Sequence, residues 1–138
     1  MYSDTVMEHF ISPRNIFIMS DPDGVGMAGE PGCGDTFKMF IQVQGETIAN
    51  ISFLVFGCCA AIACGSMTTV LAKGKTIGEA LKITEQNVVD ALDGLPEAKQ
   101  HCSNLGVSAL RAAIEDYRGK EGKESADRRI DASAAEKR

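Results

Sequence analysis

The chain has 138 residues, 44% hydrophobic and 24% charged, the composition of one globular domain with its own core. A net charge of -5 excludes a surface built to displace counterions from nucleic-acid phosphates. No apolar run nears the roughly 18 residues of a membrane span, and the opening MYSDTVMEHF lacks the pattern of a signal peptide, so a cytoplasmic protein without nucleic acid or membrane as partner is expected.

Residues 3 to 11 suit a short amphipathic helix with Val6, Met7, Phe10 and Ile11 on one face, ended by Ser12-Pro13. From Ser20 to Gly34 the density of Gly, Pro and Asp marks turns and a short edge strand, and puts Cys33 in a loop. Residues 36 to 44 alternate, with Phe37, Met39, Ile41 and Val43 on one face. Gly45-Glu46 turns the chain into a second strand over 47 to 56, where Ile51, Phe53 and Val55 share a face.

Helices are then expected at 59 to 73, 76 to 83 and 84 to 93. The second is opened by a Thr76/Glu79 capping box and the third by a weaker Thr84/Asn87 one. After the break at Leu95-Pro96, a last helix over 102 to 118 carries Leu105, Ala109, Leu110, Ala113, Ile114 and Tyr117 on one face, with Cys102 leading that face. Residues 119 to 138 hold one strong hydrophobe, Ile130, and cannot offset their ordering entropy. The expected organisation is one domain over 1 to 118 and a flexible charged tail over 119 to 138. The fold class is α+β, a small antiparallel sheet of about three strands packed against about four or five helices.

The five cysteines are an odd number, and in a reducing compartment they point to metal or sulfur chemistry before a disulfide framework. Cys58 falls where a strand stops and a helix begins, and a helix N-terminus favours thiolate. Cys33-Gly34-Asp35 is a C-x-D triplet in a glycine loop, and the hairpin returns Cys58 to the edge where Cys33 began. His101-Cys102 arrives at the start of the last helix. Three thiolates, a carboxylate and an imidazole thus converge on one rim, a set that suits iron or zinc. No C-x-x-C pair exists, which excludes a zinc ribbon and a thioredoxin motif. Spacing alone leaves open a metal site and a set of inert core cysteines. Cys59 and Cys64 read as core residues, since Cys64 lies nearly two helical turns beyond Cys58.

Taken together, PGCGD at 31 to 35, FGCCAAIACGSM at 56 to 67, LPEAKQHCSNL at 95 to 105 and ALRAAIEDYR at 109 to 118 resemble the IscU and NifU N-terminal family of iron-sulfur cluster assembly scaffolds. The opening YSDTVMEHFISPRN and the loop DGVGMAGEPGCGD are similar to that family's start and first ligand loop, so the resemblance covers residues 2 to 118. It implies a SufE/NifU-like α+β domain that builds a labile 2Fe-2S cluster from iron and from sulfur supplied by a cysteine desulfurase. Such a domain then hands the cluster to acceptor proteins and acts as a carrier, not an enzyme. It implies Cys33, Cys58 and Cys102 as cysteine ligands, Asp35 as the fourth ligand, and His101 as an alternative ligand or a residue of cluster conversion. It further implies Cys102 as persulfide acceptor, Lys99 at the cluster rim, and a homodimer when loaded, in which two clusters couple into 4Fe-4S. Zinc is expected to substitute at such a site.

Three departures narrow the resemblance. The segment LPEAK stands where bacterial relatives read LPPVK, which leaves an Hsp70-type chaperone open as a partner. Cys59 and Cys64 stand where glycine and a small residue are usual. With no C-x-x-C pair after Cys102, a stand-alone scaffold rather than a full-length NifU arrangement is expected. The competing reading within the superfamily is a zinc-bound SufU-like sulfur acceptor, which carries an insertion before its last cysteine and lacks the histidine in front of it. This chain keeps His101. Outside the superfamily, a dithiol redox protein using Cys58-Cys59 is the alternative.

Overall fold

Phe37, Met39 and Ile41 alternate on β2 (Thr36–Gln44), and the turn at Gly45-Glu46 sets them beside Ile51 and Phe53 of β3 (Thr47–Phe56); all five side chains are fully buried. The structure, a computed structural model, describes residues 2–29 and 34–130, with side chains as far as Lys120; residues 30–33, Cys33 among them, and 131–138 lie outside the described residues. β1 (Gly24–Gly29) adds the edge strand anticipated from the glycine-rich segment, giving an antiparallel sheet in the order β1-β2-β3. Phe37 pairs with Val55 and Met39 with Phe53 in the register; a shift between Gln42 and Val43 then brings Val43 opposite Ile48, and Val43 is only half-buried. The Phe37 and Phe53 rings stack with centroids 6.5 Å apart.

The helices cover one face of the sheet. α1 (Asp4–Ile11) precedes the sheet, and α2 (Cys59–Ala72), α3 (Ile77–Leu81), α4 (Glu85–Ala91) and α5 (His101–Ile130) follow it, with a single 3-10 turn at Glu97–Lys99 before α5. Both expected capping boxes form: Thr76 accepts from the Glu79 N–H and Thr84 from the Asn87 N–H, while the Glu79 and Asn87 side chains accept from the N-cap N–H groups. α2 buries ten of its fourteen residues, which explains its run of Ala, Gly and Ser: small side chains let it pack closely on the sheet and against α5.

Three expectations change. On α1 the face against α2 is Val6 with His9, and Ile11 is 71% exposed with Met7 and Phe10 also at the surface. Buried His9 is hydrogen-bonded through Nδ1 to the Ser66 hydroxyl at 2.7 Å, and Ser66 also accepts from the Arg14 N–H, so a polar latch rather than an apolar stripe docks the helix. The last helix does not stop at 118 but continues to Ile130. Gly119 alone does not end a helix when no proline follows, and the Asp116–Lys120 pair, 3.2 Å apart at i,i+4, supports the turn that crosses it. Cys59, expected in the core, is half-buried, whereas Cys64 is fully buried as expected.

The packing of α5 on the sheet depends on β1. A Cβ at Gly26 would lie 2.2 Å from the Ala113 nitrogen and 2.5 Å from the Ala109 carbonyl oxygen, both backbone atoms that cannot yield. Replacing Gly26 with Ala is expected to cost about 3 kcal/mol by overpacking. Gly78→Ala, in α3 where a Cβ meets nothing within 4 Å, is expected to add up to about 1 kcal/mol. Urea unfolding of the two variants checks both signs.

Burial and the Arg14 charge lower the His9 pKa below its ordinary value. The unfolded chain therefore takes up a proton that the folded chain refuses. Stability is present above about pH 6.5 and falls as pH drops through that value toward the lower folded pKa. Thermal unfolding followed from pH 7.5 to 5.5 is expected to show the fall, and His9→Gln to flatten it.

Candidate metal centre

Each donor is brought to the site by a different element. Asp35 immediately precedes β2, Cys58 is the N-cap of α2 in extended conformation after β3 ends, and His101-Cys102 opens α5 behind the 3-10 turn that carries Lys99. The hairpin pairing of Thr36 with Phe56 fixes the first two next to one another. Gly57 makes the approach possible: a Cβ there would fall 2.6 Å from the Asp35 Oδ1. Any side chain at 57 would push the carboxylate away.

The result is a group in which a carboxylate oxygen of Asp35 and the sulfurs of Cys58 and Cys102 all lie within 4.8 Å of one another. Asp35 and Cys102 are buried and Cys58 is half-buried. The Cys102 thiol donates to the Asp35 Oδ2 at 3.4 Å, and the His101 Nε2 lies 3.6 Å from the same oxygen and 3.7 Å from the Cys102 sulfur. Lys99 directs its Nζ at the Cys58 sulfur, 3.9 Å away. A cleft of about 460 Å³ opens over this group, lined by Asp35, Cys58, Lys99 and His101 with Gly34, Val55, Phe56 and Gly57. The expected residues Asp35, Cys58, Lys99, His101 and Cys102 thus meet at one place, and Cys33 lies outside the described residues.

Burial, reinforced by the charge at Cys58, pushes the Cys102 thiol well above its ordinary range, so in this arrangement it is a protonated donor. Burial likewise pushes Cys64 to about 12, in keeping with a thiol that serves only the core. One contributor escaped the sequence reading. The Tyr2 hydroxyl is raised to about 12, first by its hydrogen bond to Cys59, then by burial and by the charges of Cys59, Cys58 and Cys102. Tyr2 opens the stretch YSDTVMEHFISPRN, but nothing in that stretch ties it to the cysteines. Only tertiary structure brings it here, through the Ser3 hydroxyl, which donates to the Leu92 carbonyl and caps α1.

Chemically the group offers two soft sulfur donors, Cys58 and Cys102, and one hard carboxylate; Cys58 and Asp35 line the cleft, with a cation and an imidazole beside them. Such a donor set holds iron or zinc, and an oxygen ligand makes one corner easier to exchange than sulfur would. Among the described residues no helix is long and apolar enough to cross a membrane.

The chain matches the NifU-like N terminal domain over residues 1–124. It is 56% identical over 123 residues to iron-sulfur cluster assembly scaffold protein IscU 1 of Archaeoglobus fulgidus, covering 89% of this chain and 80% of that one. It is 43% identical over 124 residues to the protein named scaffold IscU of Aquifex aeolicus, covering 88% and 79%. Iron sulfur cluster assembly protein 1, mitochondrial, of Debaryomyces hansenii is 42% identical over 125 residues, covering 87% and 69%. In three dimensions the fold is similar to the N-terminal part of a NifU-like protein from Brucella abortus, with TM-score 0.69 and 17% identity over 86% of this chain and 94% of that one. A SUF-system protein from Fervidobacterium islandicum gives TM-score 0.68 and 19% identity over 82% and 96%. The strands and helices described above are therefore those of a shared fold, and the chain belongs to the NifU-like N-terminal domain family.

Proposed function

We propose that this chain is a scaffold that assembles a 2Fe-2S cluster from iron and from sulfur delivered by a cysteine desulfurase, and then releases it to acceptor proteins. The observation that carries the reading is the convergence of Asp35, Cys58 and Cys102 within 4.8 Å, with Asp35 and Cys58 lining an open cleft and Cys102 buried beside them. The names of the Archaeoglobus and Aquifex relatives agree with it. Cys33, two residues before Asp35, supplies the third thiolate.

On this reading each residue has its own part. Cys33, Cys58 and Cys102 hold the cargo through sulfur, and Asp35 is the fourth, weaker ligand whose exchange lets the cluster leave. Lys99 offsets the negative charge that thiolates accumulate at the rim. His101 reaches both Asp35 and Cys102 and handles the proton that Cys102 must lose before it binds metal. The protein is a carrier and not an enzyme, works in a reducing cytoplasm, and pairs as a homodimer when loaded, where two clusters facing each other couple into 4Fe-4S.

Anaerobic reconstitution with ferric iron and sulfide, followed by visible absorption and metal and sulfide counts, tests the reading. A red-brown product with about two irons and two sulfides per chain is expected. Colourless protein with one tightly held zinc would favour a sulfur acceptor of SufU type instead. Asp35→Ala is expected to lengthen cluster transfer to an apo-ferredoxin by about tenfold or more, because the exchangeable corner is gone. His101→Ala is expected to keep the 2Fe-2S absorption and lose later conversion. Loss of the cluster in His101→Ala with an unchanged spectrum in Asp35→Ala would reverse the two roles.

A further inference from the structure

The sheet is covered unevenly on the side away from the helices. Residues directly opposite one another in an antiparallel sheet share a face, and the register places three rows there: Val25 with Phe40 and Ser52, Met27 with Lys38 and Leu54, and Gly29 with Thr36 and Phe56. The first row is covered. Phe40, Ser52 and Met19 are buried, and Gln42, the next residue of β2 on that face, donates through Nε2 to the carbonyls of Ser20 and Asp21 as their segment passes over. The other two rows, at the end nearest the metal centre, are open: Met27 is 61% and Phe56 79% exposed, and Lys38 and Leu54 are half-buried.

This open face runs into the cleft. Val55 and Phe56 wall both the cleft over the metal centre and a hollow of about 170 Å³ made with Thr36, Lys38 and Leu54. The Lys38 ammonium stands 5.5 Å from the Phe40 ring centroid, and none of the ion pairs among the described residues involves it. Leu54, Val55 and Phe56 offer a place for one apolar side chain, and the ammonium beside them a place for one carboxylate. Three other occupants are disfavoured. A second copy laying the same face on this one would set Lys38 against Lys38, with no acidic residue in either open row. The chain's own tail leaves from the far end, since α5 opens at the metal centre and reaches Gly24, whose Cβ would meet Tyr117, before it runs on to Ile130. Nucleic acid and anionic membrane, with their charge spread over a wide surface, are repelled by a net charge of -5.

We propose that this face is the docking site for an extended segment of a protein partner that presents an apolar side chain beside a carboxylate. The apolar side chain fills the hollow against Leu54 and Phe56, and the carboxylate pairs with Lys38. A segment seated there lies alongside the mouth of the cleft, because Val55 and Phe56 belong to both walls, and its neighbouring residues come beside Cys58 and Lys99. The contact is small and therefore brief, which suits a partner that takes cargo and leaves. Naming the partner as one that exchanges cargo with the cleft rests on the scaffold reading, whereas the docking itself needs no cluster.

The test titrates the isotope-labelled, metal-free chain with a short synthetic peptide, one phenylalanine flanked by glutamates, and follows the amide NMR signals. Saturable shifts are expected at Lys38, Leu54 and Phe56, and a twin peptide with lysines in place of the glutamates is expected to bind about fivefold more weakly. Lys38→Glu is expected to reverse the preference between the twins, and Phe56→Ser to weaken both by about fivefold. The preference of the wild-type chain decides the matter without any variant. Absence of saturable shifts, equal affinity for the twins, or shifts centred on another exposed apolar group such as Ile11 and Ile18 overturns the docking site. Shifts of the same residues on concentrating the chain alone overturn it too, by making a second copy the occupant. In the loaded chain, cluster transfer to an apo-ferredoxin is expected to be about halved at the peptide concentration that occupies half of the chains. Transfer that is indifferent to bound peptide overturns the partner's part in exchange. A chain that takes up no cluster on reconstitution overturns the scaffold reading, while the titration of the metal-free chain still decides the docking.

Discussion

The whole site depends on how closely α5 lies on β1. Gly24 and Gly26 leave the strand without side chains on the side that meets Ala109 and Ala113, so the helix backbone comes within contact distance of the sheet. That approach fixes the line of α5, and the line of α5 decides where its first turn arrives. It arrives at the end of the hairpin from which Asp35 and Cys58 project. A helix held off by one methyl group would carry Cys102 away from Asp35 and separate atoms that now lie within 4.8 Å. Packing in the core is in this sense the positioning device of the chemistry.

Within the site, burial is graded and the grading has chemical meaning. Cys102 is fully buried and donates to Asp35; burial above all keeps the thiol neutral and makes its metal binding conditional on losing a proton. Cys58 stands at the open side with a lysine beside it. A fully sealed set of thiolates would suit a permanent cluster, whereas an open set would lose sulfur to any passing thiol.

Much of this was legible in the amino-acid order, because local rules and tertiary structure agree there. The alternation of Phe37, Met39 and Ile41, the turn at Gly45-Glu46, and the capping residues Thr76 and Thr84 each fix local conformation and were read at nearly their true bounds. Cys58 and Cys102 were legible as donors because each sits at the start of a helix, and a strand that ends at Gly57 has one direction in which to present the next side chain. What escaped the sequence depends on partners distant in the chain. His9 is buried because Ser66 receives it, and Tyr2 reaches Cys59 because Ser3 is tied to Leu92. The length of α5 escaped for another reason: a helix already nucleated by a packed segment propagates along residues whose composition alone does not call for one.

The central claim is that one corner of the cluster is held by the Asp35 carboxylate and the rest by thiolates. Mössbauer spectroscopy of the protein loaded with enriched iron addresses it directly, since it resolves the two irons of a 2Fe-2S cluster by their ligands. Two inequivalent ferric sites, which become equivalent when Asp35 is replaced by cysteine, are the predicted result. Equivalent sites in the unaltered protein, or a spectrum indifferent to the change at Asp35, would contradict the account.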